Sequence, residues 1–222
     1  MTDLPTLSGP TVAPANAAKP TSIVILLHGY GSNGDDLIGL VPYWREALPN
    51  TLFVSPNAPD ACPGNPFGFQ WFALDYDSDR VANRQHGLPL ARPVLVDFLN
   101  DLWAQTGLTP EQTILAGFSQ GAMLALHVGL SLERPLLGII AFSGAFVPPE
   151  GFGAKPYAKP AVCLVHGDAD GVVDPEFSAD ADAALRLAGY DVAYHVSPGV
   201  GHGIAPDGLA FASDFIAQQL AK

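Results

Sequence analysis

Short apolar runs and helical stretches alternate along most of this 222-residue chain, and this alternation is the feature that most restricts its fold. The apolar runs are rich in Val, Ile and Leu, and several lack the polar alternation of a strand with one face in water. Strands with this pattern are typically buried on both faces, as in a parallel sheet covered by helices. The predicted strands are Ser22–Leu27, Thr51–Ser55, Thr113–Gly117, Leu136–Phe142, Ala161–Val165 and Asp191–Val196.

The segments between these strands have helical patterns. Strands that alternate with helices imply right-handed crossovers and a mostly parallel central sheet with helices on both faces. We therefore predict one α/β domain over residues 21–222, preceded by a Pro- and Ala-rich arm over residues 1–20 that lies on the surface. The predicted helices are Asp35–Leu48, Leu90–Thr106, Gln120–Leu132, Pro175–Ala188 and Pro206–Leu220.

Two long segments, Pro56–Arg80 and Ser143–Pro160, show no clear periodicity. Loops of this length in a compact domain are usually functional. Neither segment is long enough to form an inserted cap domain, so we expect a single domain without a large cap.

The charge balance excludes several classes of function. The chain has 10 Lys and Arg residues against 22 Asp and Glu residues, which gives a formal net charge of −12. Binding to nucleic acid requires basic patches that neutralise phosphates, so no nucleic-acid partner is expected. The same charge opposes attachment to an anionic membrane surface. The longest apolar run, Leu136–Phe142, is far shorter than the roughly 18 residues that a membrane span requires.

The start of the chain does not resemble an export signal, because no cation precedes Lys19 and prolines interrupt the apolar residues. We therefore predict a cytoplasmic location without a stable membrane anchor. The two cysteines, Cys62 and Cys163, form neither a disulfide framework nor a metal-ligand pattern. No metal and no other cofactor is expected.

The motif most indicative of chemistry is Gly-Phe-Ser-Gln-Gly at residues 117–121. The bare G-x-S-x-G pattern is weak evidence, but here it lies between an apolar strand and an apolar helical stretch. A strand–turn–helix junction is the context that a nucleophile elbow requires, with the serine hydroxyl projecting above the sheet. An ordinary Gly-rich turn is the alternative. We predict that Ser119 is a catalytic nucleophile.

A serine nucleophile needs a base, and the base needs an acid that orients it. With this elbow the expected chain order is Ser, then Asp or Glu, then His. His202 follows the last predicted strand and is flanked by glycines, so it is the predicted base. His166 directly follows another strand, and it fits the base only if this chain order is abandoned.

Three acidic residues compete for the orienting position. Asp168 directly follows a strand and is expected to turn the chain by bonding its own backbone. Asp174 precedes Pro175 and has the position of a helix N-cap. Asp170 lies in the middle of the loop without a comparable structural task, so it is the preferred acid and Asp168 is the next candidate.

A tetrahedral intermediate also needs backbone N–H donors, and one is expected from the residue after the nucleophile, Gln120. The second is expected from the Gly-rich segment Leu-His-Gly-Tyr-Gly at residues 27–31, which ends the first strong strand. Tyr30 is the predicted second donor. His28 is expected to fix this loop, although His28-Gly29 could equally be a plain turn.

Together these motifs resemble the phospholipase/carboxylesterase family of small α/β-hydrolases, which includes bacterial carboxylesterases and acyl-protein thioesterases. The resemblance extends from about Thr21 to the C-terminus. It implies a Ser119–Asp170–His202 triad and an oxyanion hole at Tyr30 and Gln120. The matching segments are Leu-His-Gly-Tyr-Gly at 27–31, Trp71-Phe72, Gly-Phe-Ser-Gln-Gly at 117–121, His-Gly-Asp-Ala-Asp at 166–170 and Gly-His at 201–202.

The resemblance further implies that Trp71 and Phe72 line the substrate cleft, and we add Val173 to this predicted substrate-binding wall. Ordinary core packing is the alternative for these side chains. Two departures from the family pattern, Tyr30 in place of an apolar residue and Gly171 where proline often follows the acid, leave the substrate preference open.

The expected activity is that of a serine carboxylesterase acting on small esters with short to medium acyl chains. An acyl-protein thioesterase or a lysophospholipase with the same triad is the first alternative. A non-catalytic ligand-binding protein on the same scaffold is the remote one. The negative charge favours neutral, soluble esters over packed phospholipid. A homodimer is left open by the sequence.

Overall fold

The computed structural model describes residues 6–16, 18–74 and 79–222. Within them, a seven-stranded sheet forms the centre of the molecule. Its strands are β1 (Thr11–Val12), β2 (Ser22–Leu27), β3 (Thr51–Val54), β6 (Thr113–Phe118), β7 (Gly138–Phe142), β8 (Val162–Gly167) and β9 (Val192–Ser197). Their order in the sheet is β1-β3-β2-β6-β7-β8-β9. All neighbouring strands are parallel except β1, which pairs antiparallel with β3 at one edge.

Helices cover both faces of this sheet, which confirms the predicted α/β architecture. The strand β2 is apolar from Ile23 to Leu27 because both of its faces are buried. Its side chains at 23, 25 and 27 enter a core with Leu95 and Leu99, whereas those at 24 and 26 enter a second core with Trp44 and Ile216. The helices are α1 (Gly34–Ile38), α2 (Val41–Trp44), α3 (Arg80–Thr106), α4 (Gln120–Gly129), α5 (Glu176–Leu187) and α6 (Pro206–Leu220), with a 3-10 turn at Pro110–Gln112.

The six predicted strands are present with small shifts at their ends, and two helix predictions were wrong in extent. The predicted helix Asp35–Leu48 is divided into α1 and α2. The predicted helix Leu90–Thr106 begins ten residues earlier, at Arg80, and contains Pro89 and Pro93. Its N-cap is Asp79, whose side chain accepts hydrogen bonds from the backbone N–H groups of Val81 and Ala82.

Three strands in the described residues were not predicted. The N-terminal arm contributes β1 to the sheet, and the division of the chain at residue 20 stays a prediction. The segment Pro56–Arg80 contains an antiparallel hairpin of β4 (Asp60–Cys62) and β5 (Asn65–Gln70). Ser143–Pro160 carries neither a helix nor a strand.

The register of the parallel strands aligns their carboxyl ends at one edge. Leu27 lies opposite Gly117, Phe118 opposite Phe142, and Phe142 opposite Val165. Ligands bind at this edge in open α/β sheets, and the predicted site residues follow strands that end there, except Trp71 and Phe72, which follow β5 of the separate hairpin. None of the helices in the described ranges combines the length and the apolarity that crossing a membrane requires.

Candidate active site

Ser119 occupies the single position between the end of β6 and the start of α4. Its backbone has φ +53° and ψ −115°, a conformation that is strained for any residue other than glycine. The flanking glycines are required by close backbone contacts. A Cβ atom on Gly121 would lie 2.1 Å from the Leu27 carbonyl oxygen, and one on Gly117 would lie 2.4 Å from the Gly121 carbonyl. The segment is therefore a sharp strand-to-helix turn that presents the serine side chain, as the sequence predicts.

His202 connects Ser119 to Asp170 by two hydrogen bonds. Its Nε2 atom lies 3.0 Å from Ser119 Oγ, and its Nδ1 atom lies 2.7 Å from Asp170 Oδ2. The imidazole also packs on the Phe118 ring, with 4.8 Å between the ring centroids. The structure thus brings together the three residues that the sequence selects, although His202 lies 83 positions from Ser119 in the chain.

The Asp170 carboxylate is fully buried and accepts four hydrogen bonds. The backbone N–H groups of Val172 and Val173 donate to Oδ1 at 2.8 and 2.9 Å, and the two imidazoles of His202 and His166 contact Oδ2. Burial raises the pKa of the Asp170 carboxyl, but the hydrogen bonds from His202 and the two backbone amides outweigh it and lower the pKa overall. The carboxylate is therefore charged at neutral pH.

The two competing acids have other tasks. Asp174 accepts a hydrogen bond from the Glu176 N–H at the start of α5, as expected of a capping residue. Asp168 was expected to bond its own backbone, but its carboxylate accepts from the Gly199 N–H instead. It thereby ties the loop after β8 to the loop that carries His202. Neither carboxylate contacts His202 in the way that Asp170 does.

Tyr30 and Gln120, the predicted oxyanion donors, both line the cavity into which Ser119 and His202 open. The loop that carries Tyr30 is fixed by His28, whose Nε2 accepts from the Ala58 N–H at 3.0 Å. Because Nε2 accepts, the ring proton is on Nδ1, which donates to the Gly29 carbonyl at 2.7 Å. Burial lowers the pKa of His28, so the ring is kept neutral in this role.

A second brace joins this loop to the Ser119 turn through the side chain of Gln120. The amide oxygen of Gln120 accepts from the Trp71 backbone N–H, and its amide nitrogen donates to the Phe72 carbonyl, both at 2.8 Å. The Trp71 indole N–H donates in turn to the His28 carbonyl at 2.9 Å. Gln120 therefore lines the cavity, and its side chain also holds the segment that carries Trp71 and Phe72.

The cavity above Ser119 has a volume of about 610 Å³. Phe72 and Val173, two of the three predicted substrate-binding residues, are in its lining. Trp71 is not among the lining residues in the described part of the chain; it is buried and braces the His28 loop. The lining also contains residues that sequence reasoning missed, since no single-residue signal marks them: Leu74, Arg80, Arg84, Phe118 and Met123.

One further contact was missed by the sequence reasoning, which gave His166 a role only as an alternative base. In the structure His166 Nε2 contacts Asp170 Oδ2, the same atom that His202 Nδ1 contacts. No cluster of three His, Cys, Asp or Glu side chains suited to a metal ion occurs in residues 6–16, 18–74 and 79–222.

Comparison with known proteins gives one consistent result. The model of the phospholipase/carboxylesterase family matches residues 10–220. Acyl-protein thioesterase 1 of Gibberella zeae is 30% identical over 226 residues, which cover 95% of each protein. Esterase YpfH of Escherichia coli K12 is 30% identical over 92% of this chain and 86% of its own length.

A solved structure gives a nearer match. The crystal structure of esterase PE8 superposes with a TM-score of 0.92 at 52% sequence identity, covering 96% of this chain and 99% of that chain. These matches confirm the resemblance inferred from the motifs, and the chain belongs to the phospholipase/carboxylesterase family of α/β-hydrolases.

Proposed function

We propose that this chain is a serine carboxylesterase that hydrolyses short- to medium-chain acyl esters through a Ser119–His202–Asp170 triad and an acyl-enzyme intermediate. The observation that carries the proposal is the chain of two hydrogen bonds from Ser119 Oγ through His202 to the buried Asp170 carboxylate, with Ser119 and His202 in the lining of a cavity. No cofactor takes part in the proposed reaction.

The first half of the reaction follows from the direction of these hydrogen bonds. Asp170 is an ionised acceptor, so His202 carries its proton on Nδ1 and its Nε2 is available to accept one. As Ser119 Oγ attacks the ester carbonyl carbon, its proton moves to His202 Nε2. The carbonyl oxygen becomes an oxyanion, for which the Tyr30 and Gln120 N–H groups are the proposed donors. One donor of this kind lowers the barrier by about 3 kcal/mol in another hydrolase.

The second half releases both products. The C–O bond to the alcohol breaks, the alcohol leaves with the proton from His202 Nε2, and the acyl group remains on Ser119 Oγ. Water then attacks the acyl carbon while His202 takes one of its protons. Collapse of this second intermediate returns that proton to Ser119 Oγ and frees the carboxylic acid. Throughout, Asp170 fixes the imidazole orientation and stabilises the imidazolium that forms.

The cavity supports small ester substrates. Its volume of about 610 Å³ is within the range of about 300–1,000 Å³ that is usual for small-molecule sites. Phe72, Val173 and Met123 give part of the wall an apolar surface suited to an acyl chain. The net charge of −12 opposes approach to anionic lipid surfaces and so favours neutral, soluble esters.

An acyl-protein thioesterase activity is the second candidate, because a relative named acyl-protein thioesterase 1 matches over 95% of this chain. The same serine can attack a thioester carbonyl, with a thiol as the leaving group in place of the alcohol. A lysophospholipase would use the same residues on a longer acyl chain. The cytoplasmic location and a homodimer stay predictions, for which cell fractionation and size-exclusion chromatography are the tests.

Replacement of Ser119 by Ala tests the triad. The variant should lose hydrolysis of p-nitrophenyl butyrate and labelling by a fluorophosphonate while it keeps the wild-type circular dichroism spectrum. Ser143→Ala is a matched control, since Ser143 also follows a strand and has a positive φ, but its buried hydroxyl makes no hydrogen bond with His202 or any other described residue. A Ser119→Ala variant that retains most of the activity would contradict the proposal.

Two further measurements complete the test. Matched oxygen and sulfur esters of several acyl lengths then distinguish the carboxylesterase from the thioesterase. Failure of the fluorophosphonate to label the wild-type chain would favour a non-catalytic binding protein.

A further inference from the structure

His166 is a fully buried histidine at the end of β8, and its ring bridges three parts of the structure. Its Nε2 atom lies 3.1 Å from Asp170 Oδ2 and 3.0 Å from the Val173 carbonyl oxygen. Its Nδ1 atom lies 2.6 Å from the hydroxyl of Ser178, a buried residue of α5. The ring is therefore in contact with the acid, with the loop that carries the acid and with a helix behind that loop.

These partners define where the ring proton is. The Asp170 carboxylate and the Val173 carbonyl are both acceptors, so His166 Nε2 must carry a proton. The Ser178 hydroxyl can donate to Nδ1, and the neutral imidazole then has all its hydrogen bonds satisfied. Burial lowers the pKa of His166, against the opposing effects of the Val173 carbonyl and Asp170. A neutral ring leaves the negative charge of Asp170 available to His202.

The hydrogen bond from His166 completes the hold on the Asp170 carboxylate. The Val172 and Val173 amides hold Oδ1, but they leave Oδ2 free to swing about the Oδ1 anchor. His166 holds Oδ2, the same atom that accepts from His202 Nδ1 at 2.7 Å. The direction of Oδ2 determines where the His202 ring points and hence where its Nε2 meets Ser119.

We propose that His166 is a positioning residue of the reaction, which uses its Nε2–H to hold Asp170 Oδ2 in line with His202. This inference rests on the proposed function, because it assigns a role toward the triad. Substitution that removes this donor should lower kcat without weakening substrate binding, since His166 is not in the cavity lining. A misplacement of catalytic groups of this kind can cost about 100-fold in rate.

Two substitutions of similar polarity separate this role from simple core packing. The side-chain amide nitrogen of Gln lies as many bonds from the backbone as His Nε2, so His166→Gln keeps a donor for Asp170. The amide nitrogen of Asn corresponds to His Nδ1, so His166→Asn keeps polarity near Ser178 but has no donor at Oδ2. His127 is the control, because it is also buried and bonds a carbonyl, that of Val147, away from the triad.

The experiment measures kcat and KM for p-nitrophenyl butyrate, with active sites counted by fluorophosphonate titration so that loss of folded protein does not affect kcat. His166→Asn should lower kcat per site by about 10- to 100-fold with KM changed by less than about threefold. His166→Gln should recover most of this loss, and His127→Asn should keep the wild-type kcat per site. Equal kcat per site in wild type and His166→Asn, or equal losses in the Asn and Gln variants, would overturn the proposal.

A measurement on the unsubstituted protein covers the case in which His166→Asn does not fold. In spectra of ¹⁵N-histidine-labelled protein at about pH 7, His166 should be neutral with its proton on Nε2. The titratable groups that face its ring are Asp170 and His202. A protonated His166, or a proton on Nδ1, would overturn the proposal. Ser119→Ala in parallel tests the proposed function itself, since an active Ser119→Ala chain refutes the triad whatever His166 does.

Discussion

The side chain of Gln120 makes a testable contribution to stability that is separate from its backbone N–H. Gln120 is 3% exposed, and its amide forms two hydrogen bonds of 2.8 Å with the backbone of Trp71 and Phe72. Met has a similar length and volume but offers neither an amide donor nor an amide acceptor. The substitution Gln120→Met therefore removes both hydrogen bonds while it fills nearly the same space.

The expected cost follows from the two groups that lose their partner. A buried backbone N–H or C=O left without a hydrogen bond costs about 1–3 kcal/mol. The Trp71 N–H and the Phe72 C=O together give an expected loss of about 2–6 kcal/mol in the free energy of unfolding. This is a large part of the roughly 5–15 kcal/mol that stabilises an ordinary domain.

Equilibrium denaturation in urea, followed by tryptophan fluorescence and circular dichroism, measures this loss. Gln219→Met is the matched control, because Gln219 is also a buried glutamine in a helix. Its amide oxygen accepts from the Lys222 ammonium group, which water can solvate once the oxygen is removed. If the free energy of unfolding of Gln120→Met lies within about 1 kcal/mol of that of this control, the two Gln120 hydrogen bonds do not make the expected contribution to stability.

Two further predictions concern glycine geometry and pH. Gly121→Ala should prevent folding or abolish activity, because the new Cβ would lie 2.1 Å from the Leu27 carbonyl oxygen. Gly171→Ala is the control and should fold normally, since nothing lies within 4 Å of its Cβ position. Equal yields of soluble, active protein from the two variants would contradict this prediction. Burial lowers the pKa of three histidines in the folded chain: His28, His127 and His166. Below about pH 6.5 the unfolded chain takes up protons that the folded chain does not, so the free energy of unfolding should fall by up to about 4 kcal/mol per pH unit. Urea denaturation at about pH 7.5 and 5.5 measures the change, and equal stability at both would contradict it.

The sequence predicts the six strands, apart from small shifts at their ends, and the three residues of the proposed triad, because each depends on local signals. Ser119 lies between an apolar strand and an apolar helix, and the glycines on both sides mark a close backbone approach. Asp170 was selected because its neighbours Asp168 and Asp174 had other structural tasks. Parallel strands place the loops that follow them at one edge of the sheet, so residues that are far apart in the chain lie close together there.

What the sequence did not predict depends on contacts between distant segments. Gly87 and Pro89 resemble a helix boundary, yet α3 continues through both. A Cβ on Gly87 would lie 2.4 Å from the Phe72 ring, so this glycine allows α3 to pack closely against the Phe72 side chain. The position of the Trp71 side chain also depends on a distant segment. Trp71 was predicted to line the substrate cleft, but its indole N–H donates a hydrogen bond to the carbonyl of His28, 43 residues earlier in the chain.

The strand β7 separates Ser119 from Asp170 but contributes no side chain to the proposed triad. Ser119 follows β6 and Asp170 lies in the loop after β8, with β7 between them. The Ser119 N–H donates to the Phe142 carbonyl, and the Ser143 N–H donates to the Val165 carbonyl, at 2.9 and 2.8 Å. These bonds fix two strand spacings of about 4.8 Å each across the edge.

The strands that precede Ser119 and Asp170 are thus not neighbours, and an imidazole lies between the two side chains, 3.0 Å from Ser119 Oγ and 2.7 Å from Asp170 Oδ2. His202 supplies that imidazole from the loop after β9, on the far side of β8. The Asp168 carboxylate, bonded to the Gly199 N–H, holds this loop against the loop that carries Asp170. The proposed base and the proposed acid therefore lie on loops that are hydrogen-bonded to each other, and the bonds of β7 to its two neighbours help to position both loops relative to Ser119.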